Sequence, residues 1–163
     1  MATLDVEDTQ GSLSVKYGRK VAVVVGHVER VDKVWVTPRK KVQDLSKELS
    51  SLCFEEACEK ASSGHFSLGN VLAAKFSGDE LYYRCKIVED SRADGLVLVR
   101  FINFGNKELV AEMYKLPGNF SVVAPLAVQV QLDGMTDVPD TDKNRIKVVW
   151  LMGWLVGGRL CVL

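Results

Sequence analysis

The sequence predicts a mainly β protein with two helices, an α+β chain in which a small all-β barrel is inserted between the halves of a second β/α unit. Three observations carry that prediction. Short strands separated by tight turns crowd the middle of the chain, from about Leu72 to Val110, which is the spacing of a compact, strongly bent barrel rather than an open sheet. On either side the texture changes, with a ββα order before the barrel and βαβ after it. Neither flank alone is large enough to bury its helix, so the two are expected to pack together as one five-stranded β/α unit.

Composition narrows the function classes. The chain has 163 residues, 47% of them hydrophobic, which is enough for a real core and excludes wholesale disorder. Lys plus Arg number 21 and Asp plus Glu 21, and zero net charge argues against a protein whose main business is neutralising phosphates. Cys53, Cys58, Cys85 and Cys161 form no CxxC pair, and His27 and His65 stand apart, so no metal and no cofactor are expected. No apolar run reaches the ~20 residues of a membrane span, and the polar start lacks the layout of a signal peptide. An intracellular chain with free thiols is expected, without a membrane partner.

Residues 1–18, with Asp5, Glu7, Asp8, Gly11, Ser12 and Ser14, read as a flexible leader. Residues 19–63 read as the first half of the flanking unit. Lys20 to His27 is a valine-rich run with the composition of a strand buried on both faces, and Val31 to Thr37 alternates at Val34 and Val36. Pro38 ends the sheet. Val42, Leu45, Leu49 and Leu52 then recur at three, four and three residues, the apolar stripe of an amphipathic helix reaching about Lys60 and closed by Ser62-Ser63-Gly64. Residues 64–114 read as the barrel. Its strands are Leu72 to Phe76, Leu81 to Val88, the stretch Val97 to Asn106, which alternates until it stops in a turn at Asn103-Phe104-Gly105-Asn106, and Lys107 to Val110; the turn Ser77-Gly78-Asp79 and the loop Asp90 to Gly95 join the first three. Residues 115–163 read as a linker and the second half of the flank. Ala127 to Leu132 is a strand; Asp140 or Thr141 caps a helix with Ile146, Val149, Trp150 and Gly153 on one face; Gly157-Gly158 stops it before a last strand, Arg159 to Leu163. Because the chain ends on that apolar strand without a polar tail, it is expected to be a segment of a longer protein.

Aromatic residues gather on the barrel strands. Phe76, Tyr83, Phe101 and Phe104 can fill the barrel interior, as most strand aromatics do. Spacing limits that reading, because Tyr82 and Tyr83 are adjacent and must point to opposite faces. Phe101 and Phe104 also face oppositely on a regular strand, unless the turn at Gly105 and Asn106 swings the Phe104 ring back. With the ring swung back, four rings and the Asn106 amide line a pocket without formal charge. Such a pocket suits a bulky, weakly hydrated cation, attracted at ~0.5 to 2 kcal/mol per ring. That falls short of the ~8 kcal/mol of a micromolar complex, so a groove for flanking peptide is expected beside it.

Three stretches carry a resemblance. Ala73-Ala74-Lys75-Phe76, Asp79-Glu80-Leu81-Tyr82-Tyr83-Arg84-Cys85 and Val99-Arg100-Phe101-Ile102-Asn103-Phe104-Gly105-Asn106 resemble the Tudor-domain pattern, in which Trp-Tyr-Arg-Ala precedes Tyr-Ile-Asp-Tyr-Gly-Asn. The flanks are similar to the split staphylococcal-nuclease-like OB fold into which extended Tudor domains set an SH3-like Tudor barrel. The resemblance covers nearly the whole chain from about Arg19. It implies a methylarginine cage at Phe76, Tyr83, Phe101, Phe104 and Asn106. Tyr82 stands where the family usually has Trp, Phe101 and Phe104 replace tyrosines, and Asn103 replaces an Asp that commonly pairs with the Arg here numbered 84. Loss of two hydroxyls leaves the ring faces for cation attraction.

The resemblance further implies a binding module for symmetrically dimethylated arginine in Arg-Gly or Arg-Ala peptides of PIWI-clade Argonautes. It would act as a monomeric domain and a scaffold of the piRNA pathway in cytoplasmic germ granules. An unmethylated arginine or a general scaffold surface is the nearest alternative. Nucleic-acid binding by the OB-like flank is less favoured, because Arg39-Lys40-Lys41 is a short basic run and no row of aromatics accompanies it. Catalysis is not expected, since the flank strands, mostly Val, Ala and Gln, lack the carboxylate cluster of a nuclease.

Overall fold

The computed structural model describes residues 20–62, 66–89, 95–132, 134–135, 137–148 and 159–161. The expected leader at 1–18 and, in the last helix, Val149, Trp150, Gly153 and the Gly157-Gly158 stop lie outside them. Two compact units divide the chain, one built from its ends, up to Val42 and from Ala124 onward, the other from Gln43–Val123. These divisions differ from the boundaries expected at 63/64 and 114/115, because both neighbouring segments are bonded into the barrel unit. Ala61 N–H donates to the Met113 carbonyl and Lys115 N–H to that of Glu59, each at 2.8 Å.

In the first unit, β1 (Lys20–Arg30) and β2 (Lys33–Pro38) form an antiparallel hairpin in which Val25 faces Val36 and Val28 faces Val34. Two further strands, β8 (Val128–Gln131) beside β2 and β9 (Arg159–Cys161) beside β1, complete a sheet of order β8-β2-β1-β9. Among the described residues the flank sheet thus has four strands rather than the five expected. Val34 and Val36 are wholly buried and share a core with Val23, Val31, Val130 and Val148. β1 is not buried on both faces as its composition suggests, since Val24 to Glu29 are half-buried. Its valines satisfy a pleated central strand without requiring full burial. Residues 142–148 are helical. Asp140 sits just before them, accepting from Val31 N–H at 3.1 Å and from two Arg145 nitrogens at 2.8 and 2.6 Å.

Helix α1 (Arg39–Ser50) runs across the division at Val42 and Gln43, with Val42, Leu45 and Leu49 buried and Lys47 and Glu48 exposed as the stripe predicts. It stops ten residues early. The Ser50 and Ser51 hydroxyls bond back to the Lys47 and Glu48 carbonyls at 2.9 and 2.6 Å, side-chain bonding that competes with continued helix. A single turn, α2 (Phe54–Ala57), follows as a separate element.

The second unit holds five antiparallel strands in the order β6-β5-β4-β3-β7. They are β3 (Val71–Lys75), β4 (Tyr82–Glu89), β5 (Val97–Phe101), β6 (Lys107–Val110) and β7 (Met113–Tyr114). β7, too short to show alternation, is the strand that sequence reading misses. Leu72 and Ala74, Cys85 and Ile87, Val97, Val99 and Phe101, Val110 and Met113 share one core. Every strand contributes to it, so the sheet curls around its own interior. The outer face of β4 is covered as well. Phe54 of α2 stacks on Tyr82, with ring centroids 4.9 Å apart. The carbonyl of Phe120, in α3 (Gly118–Ser121), accepts from the wholly buried Arg84 at 3.1 Å.

Candidate functional site

The site is assembled by strand periodicity and two turns. On β4 the period of two sends Tyr83, Cys85 and Ile87 toward the core face and Tyr82 and Arg84 the other way. Tyr82 meets Phe54 and Tyr114, and its hydroxyl donates to Glu55 Oε1 at 3.0 Å. Burial, and then that bond, raise its pKa. Tyr82 is therefore an anchor for α2, and Tyr83 is the tyrosine on the side of Phe76, Phe101 and Phe104.

At the end of β5 the chain reverses over Ile102 to Gly105. The Phe104 and Gly105 N–H groups donate to the Phe101 carbonyl at 3.1 and 2.7 Å, and Phe101 N–H donates to the Asn106 carbonyl at 2.9 Å. Gly105 adopts φ +93°, which glycine reaches without strain; Asn106 does not need it. This reversal swings Phe104 back to the face that Phe101 occupies. Phe76 meets Phe101 at 5.6 Å and 76°, Phe101 meets Tyr83 at 6.3 Å and 86°, and Tyr83 meets Phe104 at 5.1 Å and 82°. Successive rings stand nearly perpendicular, so they form the sides of a box instead of a stack.

The rings do not play equal parts. Phe101 is only 1% exposed and belongs to the barrel core, whereas Phe76, Tyr83 and Phe104 are half-buried. Phe101 is the floor, and the other three are sides open to solvent. Asn106 follows two residues after Phe104, with its side chain half-buried.

The surroundings are not free of formal charge, contrary to the sequence expectation. Asp79 Oδ2 accepts from the Tyr83 hydroxyl at 2.8 Å. Burial, and then the Asp79 carboxylate, push the Tyr83 phenol up to about 12. Glu108 Oε1 receives the Ser77 N–H at 3.3 Å, a second carboxylate on the same turn. Sequence reading takes Ser77-Gly78-Asp79 as a turn and nothing more. The available signal was an Asp with a strand tyrosine four residues on, close enough across a hairpin turn to meet it.

Behind the site, Arg84 donates to Asn103 Oδ1 at 2.7 Å, the pairing expected from the resemblance with an amide in place of a carboxylate. Burial pulls the Arg84 pKa down to about 10.

With this geometry in place, comparison with known proteins is decisive for the family. The Tudor domain model matches residues 15–134. The chain belongs to the Tudor domain family. Mouse serine/threonine-protein kinase 31 is 33% identical to this Tudor domain over 96 residues, covering 58% of the chain and 9% of the kinase, so the chain spans a small part of that relative's length. Extended-Tudor 9 of Drosophila melanogaster superposes with a TM-score of 0.64 at 19% identity, covering 86% of this chain and 76% of that one. A complex of Tudor with Aubergine bearing a me2s arginine superposes with a TM-score of 0.61 at 25% identity, covering 71% and 69%. The fold is that of an extended Tudor domain, a Tudor barrel inserted in a split nuclease-like flank. Tudor domains are non-catalytic binding modules.

Proposed function

We propose that the domain reads symmetrically dimethylated arginine in Arg-Gly or Arg-Ala-rich peptides, with Phe76, Tyr83, Phe101, Phe104 and Asn106 as its cage. The observation that carries this reading is the series of nearly perpendicular rings Phe76, Phe101, Tyr83 and Phe104, three of them half-buried, with successive centroids 5.1 to 6.3 Å apart. Dimethylation enlarges and desolvates the guanidinium while leaving its charge, which favours ring faces over a carboxylate fork. Asn106 orients the guanidinium by a hydrogen bond, and residues beside the modified arginine supply the affinity that the rings alone lack. The related complex of Tudor with Aubergine bearing a me2s arginine supports this class of ligand. The partner in this reading is a PIWI-clade Argonaute, bound by a monomeric domain that acts as a scaffold of the piRNA pathway in cytoplasmic germ granules. Isothermal calorimetry with matched unmodified and symmetrically dimethylated peptides tests it. Tighter binding of the dimethylated peptide is expected, and equal affinities would refute the methyl-reading claim in favour of a general arginine or scaffold surface.

A further inference from the structure

The turn between β3 and β4 touches two cage rings with two adjacent residues. Its backbone is fixed first. Phe76 N–H donates to the Leu81 carbonyl and Glu80 N–H to the Phe76 carbonyl, both at 2.9 Å, with Glu80 at φ +61°. Asp79 Oδ1 accepts from Leu81 N–H at 3.0 Å, and Glu108 holds Ser77 N–H from β6. A turn cap uses one carboxylate oxygen, and Asp79 has another. Oδ2 takes the Tyr83 hydroxyl at 2.8 Å, fixing the far end of a ring that the strand fixes only at its Cα. Beside it, a Cβ on Gly78 would lie 2.5 Å from Cε1 and 2.9 Å from Cζ of Phe76. The Phe76 ring edge therefore rests on the Gly78 α-carbon, in space that any other residue type would fill.

We propose that this turn is the positioning frame of the cage, with Asp79 holding the Tyr83 ring and Gly78 seating the Phe76 ring. Neither residue needs to touch the ligand. A phenol that donates to a carboxylate has a more electron-rich ring, so the same bond that orients Tyr83 strengthens its attraction for a cation. The frame acts on both sides of the box at once, because Phe76 and Tyr83 each contact Phe101 between them. Which ligand benefits rests on the methylarginine reading, but the positioning itself does not.

The test has a ligand-free arm and a binding arm. Asp79→Asn keeps an oxygen for Leu81 N–H and removes the charged acceptor from Tyr83; Tyr83→Phe removes the donor; Gly78→Ala crowds Phe76. Aromatic carbon–proton NMR of the free protein is expected to show Tyr83 and Phe104 signals moving in Asp79→Asn. The Phe76 signals should move in Gly78→Ala, and those of Tyr82 and Phe54 should hold still in both. Unmoved Tyr83 and Phe104 signals in the first variant, or unmoved Phe76 signals in the second, overturn the proposal. Calorimetry with a symmetrically dimethylated Arg-Gly peptide is expected to show about five-fold weaker binding for Asp79→Asn. The double variant Asp79→Asn with Tyr83→Phe should bind no more weakly than Tyr83→Phe alone. Losses that simply add would overturn positioning through Tyr83. If the parent domain does not bind that peptide, the methylarginine reading fails while the free-protein spectra still decide the frame.

Discussion

Replacing Asn103 by Asp is expected to stabilise the domain by about 1 kcal/mol. The reason lies in Arg84, which is 0% exposed on the outer face of β4. Among the described residues its guanidinium donates to Asn103 Oδ1 at 2.7 Å, to the Phe120 carbonyl at 3.1 Å and to the Val123 carbonyl, each a neutral acceptor. Burial lowers its pKa from the ordinary arginine range to about 10, a cost against the charged form that a stronger acceptor would offset. The unfolded chain keeps this proton to higher pH than the folded one. The cost is therefore fully present at neutral pH and is relieved only as pH rises through about 10. Asp has the size of Asn and turns a neutral acceptor into a charged one, the difference between bonds of roughly 0.5–1.5 and 1.5–3 kcal/mol. Desolvating the new carboxylate offsets part of that gain, leaving about 1 kcal/mol and a rise of roughly 2–4 °C in Tm. Thermal unfolding followed by circular dichroism at pH 7 measures it. The guanidinium depresses the pKa of the introduced carboxylate, so the gain is present above the ordinary carboxylate range and vanishes as pH falls through the depressed value. A Tm at or below that of the parent at pH 7 would refute the reasoning, because desolvation would then outweigh charge pairing.

Three other outcomes separate site from scaffold. Phe104→Ala is expected to weaken dimethylarginine-peptide binding beyond detection by calorimetry while leaving the thermal transition cooperative, whereas Phe101→Ala, at a core position, should lower stability by about 3–5 kcal/mol; unfolding of the Phe104 variant would make that ring core instead. Cys85 is wholly buried, with its thiol pushed up to about 12 by that burial, so native protein at pH 8 should react with a thiol reagent at exposed Cys53 while Cys85 reacts only after denaturation. Asp140 is held down to about 2, chiefly by the Arg145 hydrogen bond, so its contribution is present above the ordinary carboxylate range and lost as pH falls toward 2; Asp140→Asn should flatten the acid limb of a stability–pH curve, and an unchanged limb would show that the pair does not report on folding.

The sequence made much of the site legible because strand geometry is simple. Period-two alternation puts Tyr82 and Tyr83 on opposite faces, the resemblance to the Tudor pattern chooses Tyr83 for the site, and Gly105 beside Phe104 marks the reversal that brings the ring back. Depth was harder to read. Phe101 and Phe104 are both phenylalanines at a strand end, yet one is floor and the other is open side, a difference set by which residues of other strands lie over them. The helix end at Ser50 was hidden because Leu52 continues the apolar spacing, and the serine hydroxyls that compete with the helix carry no periodic signal. Asp79 was hidden for a related reason: a turn aspartate announces its bond to the backbone, while the use of its second oxygen depends on where the hairpin carries Tyr83.

The alternation along β4 also makes its alignment with β3 and β5 self-checking. Sliding β4 by one residue would turn every side chain to the opposite face. Tyr82 would enter the box, Tyr83 would lose Asp79, and Arg84 would point its guanidinium into the interior now filled by Leu72, Val99 and Met113, where no carbonyl cluster waits for it. Arg84 thus does for the barrel what a keyed pin does for a connector. It fits one alignment, and that alignment is the one in which the tyrosine beside it meets Phe101 and Phe104.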